Sequence, residues 1–126
     1  MLENEAISLE KEKVLIIGTI RPGMNERTVN EYLDELELLV DTAGANVSGR
    51  IIQKISKINA STFIGKGKAN QLINQATDLG VKILVFDDEL TPAQIKNYHK
   101  ISDNLKVLDR SGLILDIFKR HARSKE

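Results

Sequence analysis

Two glycines alternate with two lysines in the stretch 61–73, STFIGKGKANQLI, immediately ahead of residues with helical spacing. A loop of this kind opening a helix is suited to hold phosphate, because the first helical turn has unpaired N–H groups and a partial positive charge. Gly65, Lys66, Gly67 and Lys68 are therefore candidate phosphate-binding residues. They do not make a triphosphatase loop of the G-x-x-x-x-G-K-[ST] kind, whose last residue gives a hydroxyl to magnesium. Aligned on Gly67-Lys68, that template meets Thr62 at its first glycine and Ala69 at its hydroxyl; aligned on Gly65-Lys66, it meets Ala60 and Gly67. Three roles stay open for the loop: a tight turn with solvated lysines, a cradle for a small anion, or a contact to the phosphates of a large RNA.

A second basic stretch, FKRHARSK near the C-terminus, contains Lys119, Arg120 and Arg123. Asp87, Asp88, Glu89 and Asp109 are oxygen donors of the kind magnesium takes. A receiver-type phosphoacceptor site would need a further acidic pair after the first strand, where the chain has Gly18-Thr19. The alternative is that these acids solvate a turn, with Arg110 or Arg21 balancing Asp109. His99 and His121 have no nucleophile or metal partner at motif spacing, and no serine sits in a G-x-S-x-G elbow. No catalytic residue and no metal ligand is assigned.

The elements that must position the loop follow from apolar patterning. VLIIG (14–18) and ILVFDD (83–88) contain unbroken apolar runs, as strands buried on both faces do. NVSGRIIQKIS (46–56) alternates in part, as an edge strand does, and KVLD (106–109) supplies a fourth. Val29, Leu33, Leu36, Val40 and Ala43 form one helical stripe from about Thr28, and Ala69, Leu72, Ile73, Ala76 and Leu79 form another. Gly44 and Gly80 follow these stripes, where a left-handed C-cap precedes the next strand. TPAQ (91–94) has the form of a capping box with proline at the first helical position, opening a helix to about Ile101, and a last helix starts near Ser111. Alternating strands and helices imply right-handed β-α-β units. The fold class is thus α/β and Rossmann-like, a four-stranded, mainly parallel sheet in the order 2-1-3-4 flanked by helices. In such a sheet ligands gather outside the carboxyl ends of the strands, the rim that carries the glycine-lysine loop.

The 126 residues suit one domain, with an aliphatic core since aromatics are only 4%. Without cysteine, disulfides and thiolate zinc sites are excluded. No apolar run is long enough for a membrane span and no signal-peptide pattern opens the chain, so a cytoplasmic location is expected. Lysine plus arginine equals aspartate plus glutamate at 18 each, so nucleic-acid contact would have to come from a local patch. Residues 1–12 are expected to be a flexible N-terminal segment.

TAGANVSGRIIQK, TFIGKGKANQL, ILVFDDELTPAQIKN and VLDRSGLILDIFKRHAR, in that order, resemble the N-terminal domain of the HflX-type ribosome-associated GTPases over about residues 14–123. The resemblance implies an N-terminal α/β domain at 13–123, with residues 124–126 opening a helical linker. In the family a helical hairpin and a GTP-binding domain follow. It further implies binding to ribosomal RNA of the large subunit, GTP- and magnesium-dependent splitting of stalled ribosomes by the full-length protein, and ATP as a possible ligand of this region. The GTPase motifs themselves (the P-loop, a magnesium-binding D-x-x-G and a guanine-reading N-K-x-D) are expected to be absent. The chain is then an excised or truncated non-catalytic module, with Gly65 to Lys68 and Lys119, Arg120 and Arg123 as its candidate phosphate contacts.

Overall fold

A computed structural model describes residues 9–124, with side chains through Arg120. Eight elements alternate along the chain: β1 (Lys13–Ile20), α1 (Glu26–Thr42), β2 (Asn46–Lys54), α2 (Lys66–Asp78), β3 (Ile83–Phe86), α3 (Pro92–Ile101), β4 (Lys106–Asp109) and α4 (Arg110–Ser124). The four strands form one parallel sheet in the order β2-β1-β3-β4, as their apolar content predicts. β1 and β3 lie inside because they are apolar towards both faces; β2 is half-buried along most of its length and takes an edge.

Alternation along β1 divides the interior into two layers. Leu15 and Ile17 face α2 and α3, in a core with Leu72, Ala76, Phe86 and Tyr98. Val14 and Ile16 face α1 and α4, in a core with Leu33, Leu36, Val40 and Leu113. Gly18 lets α1 approach β1, since a Cβ there would stand 3.0 Å from the Leu33 side chain.

Several ends differ from the sequence expectation. α1 starts at Glu26 because Asn25 caps it, its Oδ1 accepting from Arg27 N at 2.7 Å. α2 starts at Lys66, three residues before its apolar stripe, so both lysines and Gly67 belong to the helix rather than to a loop. The box at α3 forms as predicted: Thr91 Oγ1 accepts from Gln94 N at 3.1 Å and Gln94 Oε1 accepts from Thr91 N at 2.9 Å. Of the segment 1–12, residues 1–8 lie outside those described. Leu9, expected to be flexible, is instead buried in the α1 layer, and Lys11 N donates to Gly44 O at 2.7 Å. Packed in one cluster with Val40, Ala43 and Ala45, this aliphatic side chain is better buried than solvated. Of the segment 124–126, expected to open a helical linker, Ser124 is the last residue of α4 and residues 125–126 lie outside those described.

Candidate functional site

All four strands end on one rim, and the segment 59–65 is the part of that rim between β2 and α2. Its shape is fixed locally by Asn59. The Asn59 side-chain oxygen accepts from the N–H of Ser61 (2.8 Å) and Thr62 (3.0 Å), and its backbone exchanges two 2.9 Å bonds with Phe63. Phe63 pays for the turn with a left-handed backbone, φ 72°, and buries its ring at 4% exposure. Thr62 Oγ1 then accepts from Gly65 N at 3.0 Å, and Gly65 turns into α2 at φ 100° and ψ 150°, a region that only glycine occupies readily.

α3 holds this segment from the side. Gln94 Nε2 donates to Asn59 O, Asn97 Nδ2 to Ser61 O and the Tyr98 hydroxyl to Thr62 O, at 2.9, 2.9 and 2.8 Å. Gly65 offers no side-chain cap, and the helical ladder starts with Ala69 N donating to Gly65 O, so the N–H groups of Lys66, Gly67 and Lys68 precede it. Lys66 is exposed and Lys68 half-buried. Lys68 also lines an open groove of about 460 Å³ together with Gly65 and Ile64 before α2 and with Lys54, Ile55, Ser56, Lys57 and Asn59 from the end of β2 and the turn after it.

Lys54 and Lys57 were not singled out from the sequence. The signal for them was present: no acid occurs between Asp41 and Asp78, while Arg50, Lys54, Lys57, Lys66 and Lys68 all do. A neutral total conceals that run. Among the described residues Lys54, Lys57, Lys66 and Lys68 make no ion pair.

The C-terminal basic residues are not brought to this groove. α4 lies on the opposite face of the sheet from α2. Lys119 is exposed there, and the Arg123 side chain lies outside those described. Arg120 is held within the fold, its Nη1 donating to Ala43 O at 3.1 Å and its Nε lying 3.2 Å from Asp116.

The acidic residues of the rim are consumed as structure. Asp88 accepts from Thr19 Oγ1 at 2.8 Å and from Arg21 Nη2 at 3.3 Å; Arg110 Nε donates to Asp87 at 2.8 Å. Burial pushes the Asp88 carboxyl above its usual value, against the lowering effects of the Thr19 bond and the Arg21 charge. Asp109 was expected to be balanced by Arg110 or Arg21; instead it accepts two backbone N–H bonds, from Leu90 (3.0 Å) and Gly112 (2.8 Å), and so caps α4. Among the described residues no group of three or more His, Asp or Glu side chains could hold a metal. The spacing D-x-x-G, expected to be absent, does occur at Asp41–Gly44 and Asp109–Gly112. The first closes α1, Gly44 N donating to Asp41 O at 2.9 Å, and the second caps α4. His99, expected at the surface, is half-buried with its Nε2 enclosed.

A four-stranded parallel sheet in the order β2-β1-β3-β4, with helices on both faces and a glycine-lysine segment at its rim, defines a Rossmann-like α/β domain. Comparison with known proteins identifies which. The family model described as GTP-binding GTPase N-terminal matches residues 30–119. GTPase HflX of Flavobacterium psychrophilum is 46% identical over 124 residues, covering 98% of this chain and 29% of that protein. GTPase HflX of Escherichia coli is 36% identical over 96 residues, 76% of this chain and 22% of its own length. In solved structures, the crystal structure of SsGBP and GDP complex superposes with a TM-score of 0.65 at 23% identity, over 87% of this chain and 29% of that one, a likeness of fold. This chain therefore belongs to the GTP-binding GTPase N-terminal family, as an N-terminal domain of the HflX type. It spans under a third of the length of those relatives. Among the described residues no helix is long and apolar enough to cross a membrane.

Proposed function

We propose that this chain is the ribosome-docking module of an HflX-type GTPase. It has no hydrolytic centre of its own and helps seat the longer protein on ribosomal RNA of the large subunit. GTP and magnesium act elsewhere in that protein, where hydrolysis is coupled to the splitting of stalled ribosomes in the cytoplasm. The observation that carries the reading is the presentation of Lys66 and Lys68: free of ion pairs among the described residues, they start a helix whose leading segment is fixed by three side chains of α3. Cations held on a rigid frame lose little entropy on meeting phosphate. Lys119, on the other face, adds at most an outlying contact.

Co-sedimentation with purified large ribosomal subunits at low and moderate salt tests this. The parent chain pellets with the subunits and a Lys66→Glu, Lys68→Glu variant does not; equal pelleting of both, or of neither, overturns the assignment of docking to this loop.

A second reading has one observation in its favour. The groove of about 460 Å³ falls within the roughly 300–1,000 Å³ usual for small-molecule sites, which would suit a regulatory nucleotide such as ATP. Its lining has no aromatic ring to stack a base, which favours the docking reading. Calorimetry separates them: saturable heat with ATP, lost in Lys68→Ala, belongs to the nucleotide site alone.

A further inference from the structure

The equal numbers of acidic and basic residues conceal a segregated molecule. α1 carries Glu26, Glu31, Asp34, Glu35, Glu37 and Asp41 against Arg27 alone. α2, α3 and the connection 54–65 carry Lys54, Lys57, Lys66, Lys68, Lys96 and Lys100 against Asp78 alone. α1 packs on one face of the sheet and α2 with α3 on the other, so the two charge sets are separated by the sheet. The arginines nearest α1 are taken up by it: Arg50 bonds Asp34 at 2.8 Å and Glu37 at 3.2 Å, and Arg110 lies 3.6 Å from Glu35.

We infer that the groove between the end of β2 and the start of α2 clamps consecutive backbone phosphates of one RNA strand, with Lys54 and Lys57 contributed by β2 and the turn after it and Lys68 by the first turn of α2. The acidic face of α1 fixes the orientation, turning the α2 and α3 face to the RNA. This rests on the docking reading and adds to it the contact residues, the ligand chemistry and the direction of approach. The chemistry follows from the lining. Three cations lining one groove match the repeated charge of a sugar-phosphate chain, while Ile55 and Ile64 in the same lining are buried and present no ring on which a base could stack. The contact is therefore independent of base sequence. Lys96 and Lys100, on α3, extend the same positive face beyond the groove.

Phosphate contacts made by lysine are counted by their salt dependence. Four such contacts, Lys54, Lys57 and Lys68 of the groove with Lys66 beside it, predict a loss of about 50-fold in affinity between about 50 and about 200 mM salt, and the two left without Lys54 and Lys57 a loss of about sevenfold. The test measures affinity of the chain for purified large ribosomal subunits across that range. Lys54→Ala with Lys57→Ala is expected to flatten the salt dependence accordingly, Lys54→Arg with Lys57→Arg to restore it, and Lys106→Ala, at the start of β4 and the opposite end of the sheet, to leave it unchanged. If the alanine pair binds subunits with the parent's salt dependence, the groove is not the clamp, although the docking reading survives. Displacement of bound subunits by one ATP per chain would overturn the clamp in favour of a nucleotide site. Failure of the parent chain to bind subunits at any salt overturns both the docking reading and the clamp.

Discussion

The hydroxyl of Tyr98 donates a 2.8 Å hydrogen bond to the carbonyl of Thr62, joining the middle of α3 to the segment that leads into α2. Both residues are buried, and burial pushes the phenol above its usual value of 10.0, so the hydroxyl stays protonated and donating at neutral pH. Tyr98→Phe keeps the ring packed against Phe86 but leaves the Thr62 carbonyl with only its 2.8 Å bond from Ile64 N. The expected cost is about 0.5–1.5 kcal/mol, read as a lower urea midpoint at pH 7. Because the folded phenol holds its proton more tightly than the unfolded one, stability of the parent should also fall as pH rises above 10.0. An unchanged midpoint in the variant would show that the bond adds nothing.

Asp88 gives the opposite kind of linkage from an ordinary ion-paired carboxylate. Its folded pKa is raised above 3.8, chiefly by desolvation, so the native state binds the proton more tightly than the unfolded chain. The stability it contributes is fully present below 3.8 and is lost as pH rises through the folded value. Asp88→Asn retains an oxygen for Thr19 Oγ1 without the buried charge. Urea unfolding should show the variant matching or exceeding the parent at pH 7, with the difference moving against it as pH falls towards 3.8. A variant much weaker at pH 7 would mean that the contact with Arg21 outweighs desolvation.

Gly65 and Gly67 differ although both belong to the same motif. Gly65 sits at φ 100°, where a Cβ is strained even though no atom crowds it, and Gly67 lies in the first turn of α2 with open space around its Cα. Gly65→Ala is expected to cost about 1–3 kcal/mol. Gly67→Ala should stabilise by about 0.5–1 kcal/mol, since it removes freedom from the unfolded chain. Thermal melts of the two variants should move in opposite directions; a shared direction would refute the assignment of strain to Gly65.

Arg110 connects three elements, with Nε donating to Asp87 at 2.8 Å, Nη2 to Tyr32 O at 2.9 Å and Nη1 lying 3.6 Å from Glu35. Arg110→Ala leaves the mostly buried Asp87 carboxylate without its partner, at an expected cost of about 2–3 kcal/mol. Arg110→Lys should recover little of it, because an ammonium cannot reproduce the planar fork. Full recovery by lysine in a urea titration would reduce the role of Arg110 to charge alone.

The sheet order was legible because β1 and β3 are apolar towards both faces and so had to be inside, and the α3 box because capping is local in sequence. The pairs that shape the rim were not legible. Nothing in the spacing of Asp87 and Arg110, or of Thr62 and Tyr98, says that they meet, since these contacts exist only once the helices have docked. The start of α2 was set three residues late because its first turn carries no apolar residue, and periodicity is blind there. Leu9 was missed because the apolar residues up to it are too few to set a period before the charged run Glu10 to Lys13. The candidate site was half visible: the glycine-lysine motif stands out, whereas Lys54 and Lys57 come alongside Lys68 only through the turn at Asn59.

Segment 59–65 has almost no regular structure of its own, and its polar backbone is satisfied by Asn59, Thr62 and α3. It cannot open without leaving Gln94 and Tyr98, both buried, short of acceptors. The segment and α3 thus form a single cooperative unit, so that the amides of Phe63 and Gly65 exchange with solvent at the rate set by the opening of a helix 30 residues further along the chain, not at the rate of a surface loop.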